Sequence, residues 1–308
     1  MSTDPTDSLP QPPSPRIDLR RGTFWMLLSL ACFTANSLMI KSFASQRSID
    51  PWVSMSFRFG VGLLATTIIF RRSGDMKLGR TFRNWLLASR GVMGGLGTAA
   101  YYSTVGPLGV GKATLIGNTW CVFAAIMAVF VLHERLSLGK LLGIVTAFGG
   151  LGLLTGLETG TLTAIGQWEV VSLIGAVLAA AVVVVIRQLT TTETSATIYA
   201  SQCVYGLLLA LPFSIHHYAS LGVMDVTLLC IAALAATVGQ LAMTEGFRFL
   251  TVAAGGGFQL ALPVVISLAS MMIFEEHFTV IQTLGALLIL LGSYQTVTGR
   301  FFRGNRPA

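Results

Sequence analysis

The stretch VLHERLSLGKLLGIVTAFGGLGLLTG (131–156) returns in altered form as IFEEHFTVIQTLGALLILLGSYQTVTG (273–299). In each copy an acidic residue ends one apolar run, and a second apolar run that carries two glycines follows without a gap. The matching positions, 142 residues apart, are Glu134 and Glu276, Leu142 and Leu284, Gly143 and Gly285, and Gly150 and Gly292. We therefore predict that the chain contains a duplicated unit and that these stretches form its last part.

The composition around this repeat is that of a protein embedded in lipid. Of 308 residues, 53% are hydrophobic and only 11% are charged, and the mean hydropathy is +0.73. Roughly a quarter of the residues in a typical soluble domain are charged, whereas a bilayer removes the need for a polar surface outside the loops. The composition therefore argues strongly against a soluble enzyme.

Apolar runs near the roughly 20 residues that a spanning helix needs follow one another from Gly22 onward. The predicted spans are 22–43, 51–70, 84–106, 110–132, 138–156, 168–190, 196–215, 225–249, 252–274 and 279–299. Residues 1–21 are rich in Pro, Ser, Thr and Asp and are predicted to form a disordered cytoplasmic tail, and 300–308 form a second, short tail. The predicted fold class is an all-α integral membrane protein with ten transmembrane helices.

The duplication divides these spans into two units of five. The first unit covers 22–156, a linker covers 157–167, and the second unit covers 168–299. Because five is an odd number of crossings, the second unit must enter the membrane upside down relative to the first. Two inverted five-helix repeats are typical of secondary transporters, which expose a central site to each side of the membrane in turn.

The charge distribution predicts the orientation of the chain and argues against other partners. The net charge is +7 and the isoelectric point is about 9.6. Fifteen of the twenty Lys and Arg residues fall in segments on the side of the N-terminus, so the positive-inside rule places both termini in the cytoplasm. Because the basic residues are scattered between apolar runs, no nucleic-acid partner is predicted.

The cysteines and histidines lack the spacing of a metal site, and no metal or cofactor is predicted.

Three stretches carry a resemblance to a known family: SRGVMGGLGTAAYYSTVGPLGVGKATL (89–115), AAIMAVFVLHERLSLGKLLG (124–143) and QLALPVVISLASMMIFEEHFTVIQTLG (259–285). They resemble the EamA-type permeases of the drug/metabolite transporter (DMT) superfamily, over roughly Gly22 to Gly299. The resemblance implies a multi-pass permease of the bacterial inner (plasma) membrane that carries a small-molecule substrate, as a monomer or a homodimer.

The sequence departs from the family pattern at one place. The second half keeps Pro263 in its fourth helix, whereas the equivalent place in the first half reads Asn118-Thr119-Trp120-Cys121. A missing proline removes a kink and an unpaired carbonyl. We therefore expect the fourth span of the first half to lack the kink of its counterpart.

Three ionisable side chains, Arg58, Arg90 and Glu245, are predicted to lie within the membrane, where such groups usually face a bundle interior or an aqueous cavity. Arg58 is interpreted either as a substrate-binding residue or as a structural anchor. Arg90 and Glu245 lie at matching depths by helix rise, which predicts a pair that is either a cytoplasmic-side gate or a static contact. Glu245 is the candidate for proton coupling, and the two arginines favour a solute with a carboxylate, which a guanidinium binds bidentately.

Uncharged side chains at mid-span depth complete the predicted substrate site, and hydrogen bonding between helices is the alternative role for the amides. The candidates are Asn36, Asn118, Trp120, Gln202, Gln240 and Gln259. Tyr101 and Tyr102 can stack on a planar solute or, alternatively, anchor the chain in the headgroup belt. Of these two tyrosines, Tyr102 is included in the predicted site together with Arg58 and Arg90.

These observations predict a secondary transporter, not an enzyme, that moves a small polar or amphipathic metabolite by alternating access. The preferred solute is an amino acid or a related carboxylate. No GxxxxGK[ST] loop occurs in the sequence, so the driving force is a gradient of the solute or of protons. The alternatives are an uptake permease for a vitamin or nucleoside-like nutrient, a membrane-embedded enzyme and a non-transporting scaffold. Dispersed acidic residues disfavour the enzyme, and a scaffold does not explain the duplication.

Overall fold

The computed structural model of this chain describes residues 19–70, 76–131, 138–155, 166–189, 192–249 and 252–298. Within these ranges every long segment is α-helical, as the apolar runs predict. Residues 1–18, most of the predicted linker 157–167 and the C-terminal residues 299–308 lie outside the described part of the chain, as does Glu134.

Twelve α-helices follow one another in the described residues. They are α1 Leu19–Gln46, α2 Pro51–Phe70, α3 Leu78–Arg83, α4 Trp85–Leu108, α5 Val110–Gly117, α6 Trp120–Val131, α7 Leu138–Thr155, α8 Gln167–Leu189, α9 Ser195–Ser214, α10 Val223–Phe249, α11 Val252–Phe274 and α12 Val280–Thr298. A short 3-10 helix, Ile215–Ser220, lies between α9 and α10. Each predicted span coincides with one helix or, in one case, with two, and the bounds agree to within three residues.

Two of the small differences correct the predicted boundaries. The first helix begins at Leu19, so residues 19–21 belong to α1 and not to the predicted tail 1–21. The short helix α3 was not predicted, because its six residues form no apolar run of their own and include two arginines. The apolar length criterion finds helices that fit a bilayer, and it overlooks short polar ones.

The fourth predicted span is interrupted, although it contains no proline. The helix α5 ends at Gly117, and α6 begins at Trp120. Between them the Thr119 N–H and the Thr119 hydroxyl both donate to the carbonyl oxygen of Ile116, at 3.1 and 2.7 Å. Side chains of this type compete with regular helical hydrogen bonds, and glycine is a poor helix former. Pro263 lies inside the continuous α11, so the span that lacks a proline is interrupted and its proline-bearing counterpart is not.

Five helical segments are long and apolar enough, by length and composition, to cross a membrane. They are Leu19–Gln46, Pro51–Phe70, Gln167–Ile186, Ser195–Ser220 and Val223–Met243. Three shorter apolar segments are Leu141–Leu154, Ala261–Phe274 and Val280–Gln295. Large apolar side chains are exposed on many of the helices, as expected for surfaces that face lipid.

The main helix contacts of the two halves correspond when the halves are exchanged. Under the repeat, α1 corresponds to α8, α2 to α9, α4 to α10, α5 and α6 together to α11, and α7 to α12. The contact of α1 with α10 then has its counterpart in α8 with α4, and that of α2 with α10 in α9 with α4. Two helix pairs, α2 with α9 and α7 with α12, join equivalent helices directly. The duplication predicted from the sequence is therefore expressed in the packing.

The α7–α12 contact is formed by the glycines that the two repeats share. A Cβ atom on Gly150 would lie 2.6 Å from the carbonyl oxygen of Gly285, and one on Gly292 would lie 2.6 Å from that of Gly143. Glycine permits this close approach because it has no side chain. Since the earlier glycine of α7 meets the later glycine of α12, the two helices run antiparallel.

We predict that Gly150→Ala destabilises the protein by about 1–3 kcal/mol, because the added methyl group overpacks the α7–α12 contact. Its neighbour Gly149 supplies a matched control, since nothing lies within 4 Å of a Cβ atom added there. Gly149→Ala is expected to leave the midpoint of thermal unfolding unchanged or to raise it, as alanine is the better helix former. Thermal unfolding of the detergent-solubilised protein measures both. Equal midpoints for the two variants would contradict the glycine contact.

Candidate functional site

A network of polar side chains links α1, α2, α4 and α10. The guanidinium Nη1 of Arg58 donates to the Oδ1 of Asn36 (3.2 Å) and to the hydroxyl oxygen of Tyr102 (3.0 Å). The Tyr102 hydroxyl donates to the same Asn36 Oδ1 (3.1 Å), and Asn36 Nδ2 donates to the carbonyl of Ala232 (3.0 Å). Three residues predicted for the site, Asn36, Arg58 and Tyr102, are thus brought together, and we call this group the Arg58 network.

The Arg58 guanidinium forms no ion pair within the described residues. Its Nε is buried without a hydrogen-bond partner, and Nη1 makes both of its hydrogen bonds to uncharged groups. The ring of Tyr102 lies 5.8 Å from Cζ of Arg58, which adds a cation–π contact. Asn36 and Tyr102 are only 3% and 1% exposed. The network therefore holds a positive charge in an apolar interior without neutralising it.

A cavity of about 340 Å³ lies beside the Arg58 network, at the end of the bundle where α1 ends and α2 begins. We call this the Asp50 end. The side chains that line the cavity include Asp50, Tyr102, Ser103, Pro107 and His217. Because Tyr102 belongs both to the cavity wall and to the network, Arg58 lies directly behind the wall. A solute in the cavity would therefore be one side chain away from the buried charge.

An ion pair at the Asp50 end lines a second, smaller cavity, which shares Asp50 and His217 with the first. Arg47, just beyond α1, contacts the carboxylate of Asp225 in the first turn of α10. The second carboxylate oxygen of Asp225 accepts from the N–H of Gly222 (3.0 Å). Because both side chains of the pair are partly exposed, its contribution to stability is small. The pair fixes the position of the α1–α2 connection relative to α10.

The neighbouring tyrosine, Tyr101, belongs to a different set of contacts. Its hydroxyl donates to the Oγ of Ser37 on α1 (3.0 Å) and lies 2.9 Å from the Oγ1 of Thr114 on α5. Tyr101 and Tyr102 are adjacent in the sequence, yet only the second contacts Arg58. The pair therefore offers one tyrosine inside the network and one outside it.

Arg90 does not contact Glu245, its predicted partner. Its Nη2 donates to the Oε1 of Gln202 on α9 (3.0 Å), while its Nε and Nη1 have no hydrogen-bond partner. The helix α4 packs mainly against α8 and α9, whereas α10, which carries Glu245, packs mainly against α1 and α2. The predicted pair is therefore wrong for this conformation, because equal depth along two helices does not make them neighbours. Glu245 is half-buried on α10.

The other predicted site residues lie outside the Arg58 network. Asn118, at the break between α5 and α6, is 6% exposed, and its Nδ2 has no hydrogen-bond partner. Trp120 is half-buried as the first residue of α6, and Gln240 and Gln259 are half-buried on α10 and α11. Among the described residues, no group of His, Cys, Asp and Glu side chains has an arrangement that could hold a metal ion.

Glu276 has a role that the sequence does not reveal. Its two carboxylate oxygens accept from the backbone N–H groups of Val110 (3.0 Å) and Gly111 (3.2 Å), at the start of α5. The Lys41 ammonium lies 3.3 Å from the same carboxylate. Gly109, which precedes α5, has a φ of +80°, and a Cβ atom there would lie 2.5 Å from Glu276 Oε1. We call this contact between the two halves the Glu276 clasp.

The sequence shows only that Glu276 ends an apolar run. The clasp was missed because Lys41, Val110 and Glu276 are far apart in the chain and share no local pattern. One signal was available in retrospect. Gly109 and Gly111 stand at the start of a helix that has no acidic residue of its own in its first turn, and an exposed helix N-terminus attracts a carboxylate.

A helical chain with exposed apolar helices, two repeats and an unneutralised buried cation has the characteristics of a membrane transporter. The sequence pattern of the EamA-like transporter family matches residues 20–156 and 166–298. The chain belongs to this family, which is part of the DMT superfamily and whose members are transporters. Both repeats predicted from the sequence coincide with the two matched segments, and a multi-pass membrane protein follows from the family and the apolar helices.

Comparison with solved structures supports the same fold. One structure, titled "Crystal structure of protein", superimposes with a TM-score of 0.61 over 90% of this chain and 96% of its own. The two sequences are 16% identical, so this likeness concerns the fold alone. No curated protein matches the chain.

We predict that Glu276→Gln lowers the free energy of unfolding by about 1–3 kcal/mol, because the charge-assisted hydrogen bonds to α5 and the contact with Lys41 are weakened. Glu275→Gln is the matched control, since Glu275 is an exposed neighbour of the same type. Thermal unfolding in detergent compares the two variants. A Glu275→Gln variant that is destabilised as much as Glu276→Gln would contradict a specific role for the clasp.

Proposed function

We propose that this protein is a secondary transporter that moves a small carboxylate-bearing solute, such as an amino acid or a related metabolite, across the membrane. The observation that carries the proposal is the Arg58 guanidinium, which is held without a counterion behind the wall of a 340 Å³ cavity. A cation left unneutralised beside such a cavity favours an anionic solute, and the family supplies the transport activity.

The geometry of Arg58 suits a carboxylate in particular. Its Nη1 is already engaged by Asn36 and Tyr102, and this orients the guanidinium plane. The edge formed by Nε and Nη2 remains, and two parallel N–H groups match the two oxygens of a carboxylate. A carboxylate bound there would give the buried Nε–H, which has no partner, a charge-assisted hydrogen bond. The free energy gained in this way provides affinity.

The mechanism that we propose is alternating access by two inverted repeats. The antiparallel contact of α7 with α12 supports the inversion, because these helices are equivalent in the two repeats. The exchange of helix contacts between the halves supports a pseudo-twofold arrangement, which lets one site face each side in turn. Ten crossings, with α5 and α6 forming one of them, and the positive-inside rule place both termini in the cytoplasm. The membrane is the bacterial inner membrane.

The driving force in this proposal is a gradient, either of the solute alone or of the solute together with protons. Glu245, half-buried in α10, is the candidate for proton coupling because an ionisable group within a membrane helix commonly serves that purpose. The direction of transport stays open between export and uptake. The panel of solutes used in the tests below therefore includes vitamin and nucleoside-like compounds beside amino acids.

We predict that Arg58→Gln reduces transport of a carboxylate solute by roughly 10- to 100-fold, because the bidentate contact is lost. Flux of labelled amino acids, monocarboxylates and nucleoside-like compounds into and out of proteoliposomes measures this. Arg58→Lys is expected to retain only part of the activity, since an ammonium group cannot present two parallel N–H donors. Uncharged solutes carried equally well by the wild type and Arg58→Gln would contradict the proposal.

The adjacent tyrosines provide a second test. Tyr102→Phe removes a hydroxyl that accepts from Arg58, and we expect the affinity for the solute to fall by roughly tenfold as the guanidinium loses its orientation. Tyr101→Phe removes a hydroxyl that contacts Ser37 and Thr114 instead, and it is the matched control. Concentration dependence of flux separates the two variants. Identical losses in both would point to a general packing defect and against the Arg58 network as the binding site.

Proton coupling is tested by the same flux assay with and without an imposed pH gradient. If Glu245 carries the proton, Glu245→Gln abolishes the part of the flux that depends on the gradient and leaves exchange of labelled solute across the membrane intact. Gradient-dependent flux that survives in Glu245→Gln would show that the proton travels by another route. Flux that ignores the gradient in the wild type would identify a uniporter.

A further inference from the structure

A second buried guanidinium, that of Arg90, lies on α4. Arg90 is 4% exposed, and its one hydrogen bond within the described residues runs from Nη2 to the Oε1 of Gln202 (3.0 Å). Its Nε and Nη1 are buried and without a partner. Two nitrogens of one charged side chain, with three N–H donors between them, are therefore left unsatisfied, which is a costly arrangement in an apolar interior.

Two partly buried lysines, in contrast, are neutralised by carboxylates. Lys41 contacts the carboxylate of Glu276, and Lys112 contacts that of Glu169 at 2.7 Å. Arg90 forms no ion pair within the described residues, and its guanidinium donates only to the amide oxygen of Gln202. A buried cation is normally paired with an anion, so an anion is the missing partner of Arg90.

Glycines on α4 leave room for the guanidinium between α4 and α9. A Cβ atom on Gly94 would lie 2.3 Å from Arg90 Nη1 and 3.0 Å from Gln202 Nε2. The amide of Gln202 also donates to the carbonyl of Gly94 (3.4 Å). The space above Gly94 is therefore occupied by the guanidinium and its amide partner. Arg90, Gly94 and Gln202 together form what we call the Arg90 station.

The Arg90 station and the Arg58 network lie at different depths along the same helix. Tyr102, which contacts Arg58, lies twelve residues after Arg90 on α4, a rise of about 18 Å. Tyr102 and Pro107, late in α4, line the cavity at the Asp50 end, so Arg90, early in α4, lies toward the opposite end of the bundle.

We propose that the Arg90 station is a second binding site for a carboxylate, which an anionic solute occupies after it leaves Arg58 on its way through the bundle. The identification of the anion as the transported solute rests on the proposed function, whereas the existence of an anion site at Arg90 does not. At both places an amide oxygen orients a guanidinium that keeps unpaired N–H donors, although the engaged nitrogen is Nη1 in Arg58 and Nη2 in Arg90.

The test uses acetate as the probe, because it is the smallest carboxylate that presents two oxygens. Saturation-transfer NMR on the full-length protein in detergent measures acetate binding in the wild type, Arg58→Gln, Arg90→Gln and the double variant, at constant ionic strength. We expect each single variant to retain one binding event and the double variant to retain none. Size-exclusion profiles and unfolding midpoints verify that the variants are folded.

A pair of glycines supplies the matched control. In the Arg58→Gln background only the Arg90 station remains, and Gly94→Ala then displaces the end of a flexible side chain without adding or removing charge. We expect the dissociation constant of acetate to rise roughly tenfold or more, as for the loss of a charge-assisted hydrogen bond. Gly97→Ala should leave it unchanged, because the atoms nearest to a Cβ there are 3.7 Å away.

Different results separate the failure of this proposal from that of the proposed function. If Arg58→Gln alone abolishes acetate binding, the second site is overturned and the first is supported. If Arg90→Gln alone abolishes binding and Arg58→Gln has no effect, the Arg90 station is supported and Arg58 is not the binding residue. Binding that persists in the double variant overturns both sites, whereas a Gly97→Ala variant that matches Gly94→Ala overturns only the Arg90 station.

Discussion

A guanidinium that stays charged in an apolar interior needs an anion, and much of this structure follows from how that need is met. Arg58 is oriented by Asn36 and Tyr102, whose own hydrogen bonds are satisfied by α10 and by each other. These contacts fix the position of the charge but supply no counterion. Donors held in place in this way need little reorganisation when an anion binds, and the proposed function depends on this.

The frame around this charge is built from close contacts between the two repeats. The glycines of α7 and α12 permit contact of the two backbones. The Glu276 clasp connects the segment between α11 and α12 in the second half to the start of α5 in the first. Ser37 and Lys41 lie one turn apart on α1. Ser37 is linked to α5 through Tyr101, and Lys41 is linked to it through Glu276. The helix α5 is thus held to α1 at two levels, and it is separated from α6 by the break at Asn118 and Thr119.

Sequence reasoning located the helices well because the thickness of a bilayer sets a length that can be read along one dimension. It also identified Asn36, Arg58 and Tyr102, since polar groups in apolar runs stand out against their neighbours. It failed where lateral position matters. Equal depth along α4 and α10 suggested that Arg90 contacts Glu245. The helix α4 packs mainly on other helices, however, and Arg90 donates to the amide oxygen of Gln202 instead. The break at Asn118 was missed because proline was taken as the cause of helix interruption, whereas local hydrogen bonds of Thr119 suffice.

The repeat also explains why the two buried arginines differ in their surroundings. Arg58 lies on α2 and Arg90 on α4, which are not equivalent helices, so exchange of the halves does not convert one site into the other. A perfectly symmetric carrier would bind its solute equally well in both orientations of the repeats. Here the cavity lies beside Arg58, while Arg90 lies in close contact with glycines of α4 and the amide of α9. The frame is symmetric in its packing, and the charges placed on it are not. An anion at Arg58 and an anion at Arg90 would therefore meet different surroundings, although the helices around them are related by the repeat.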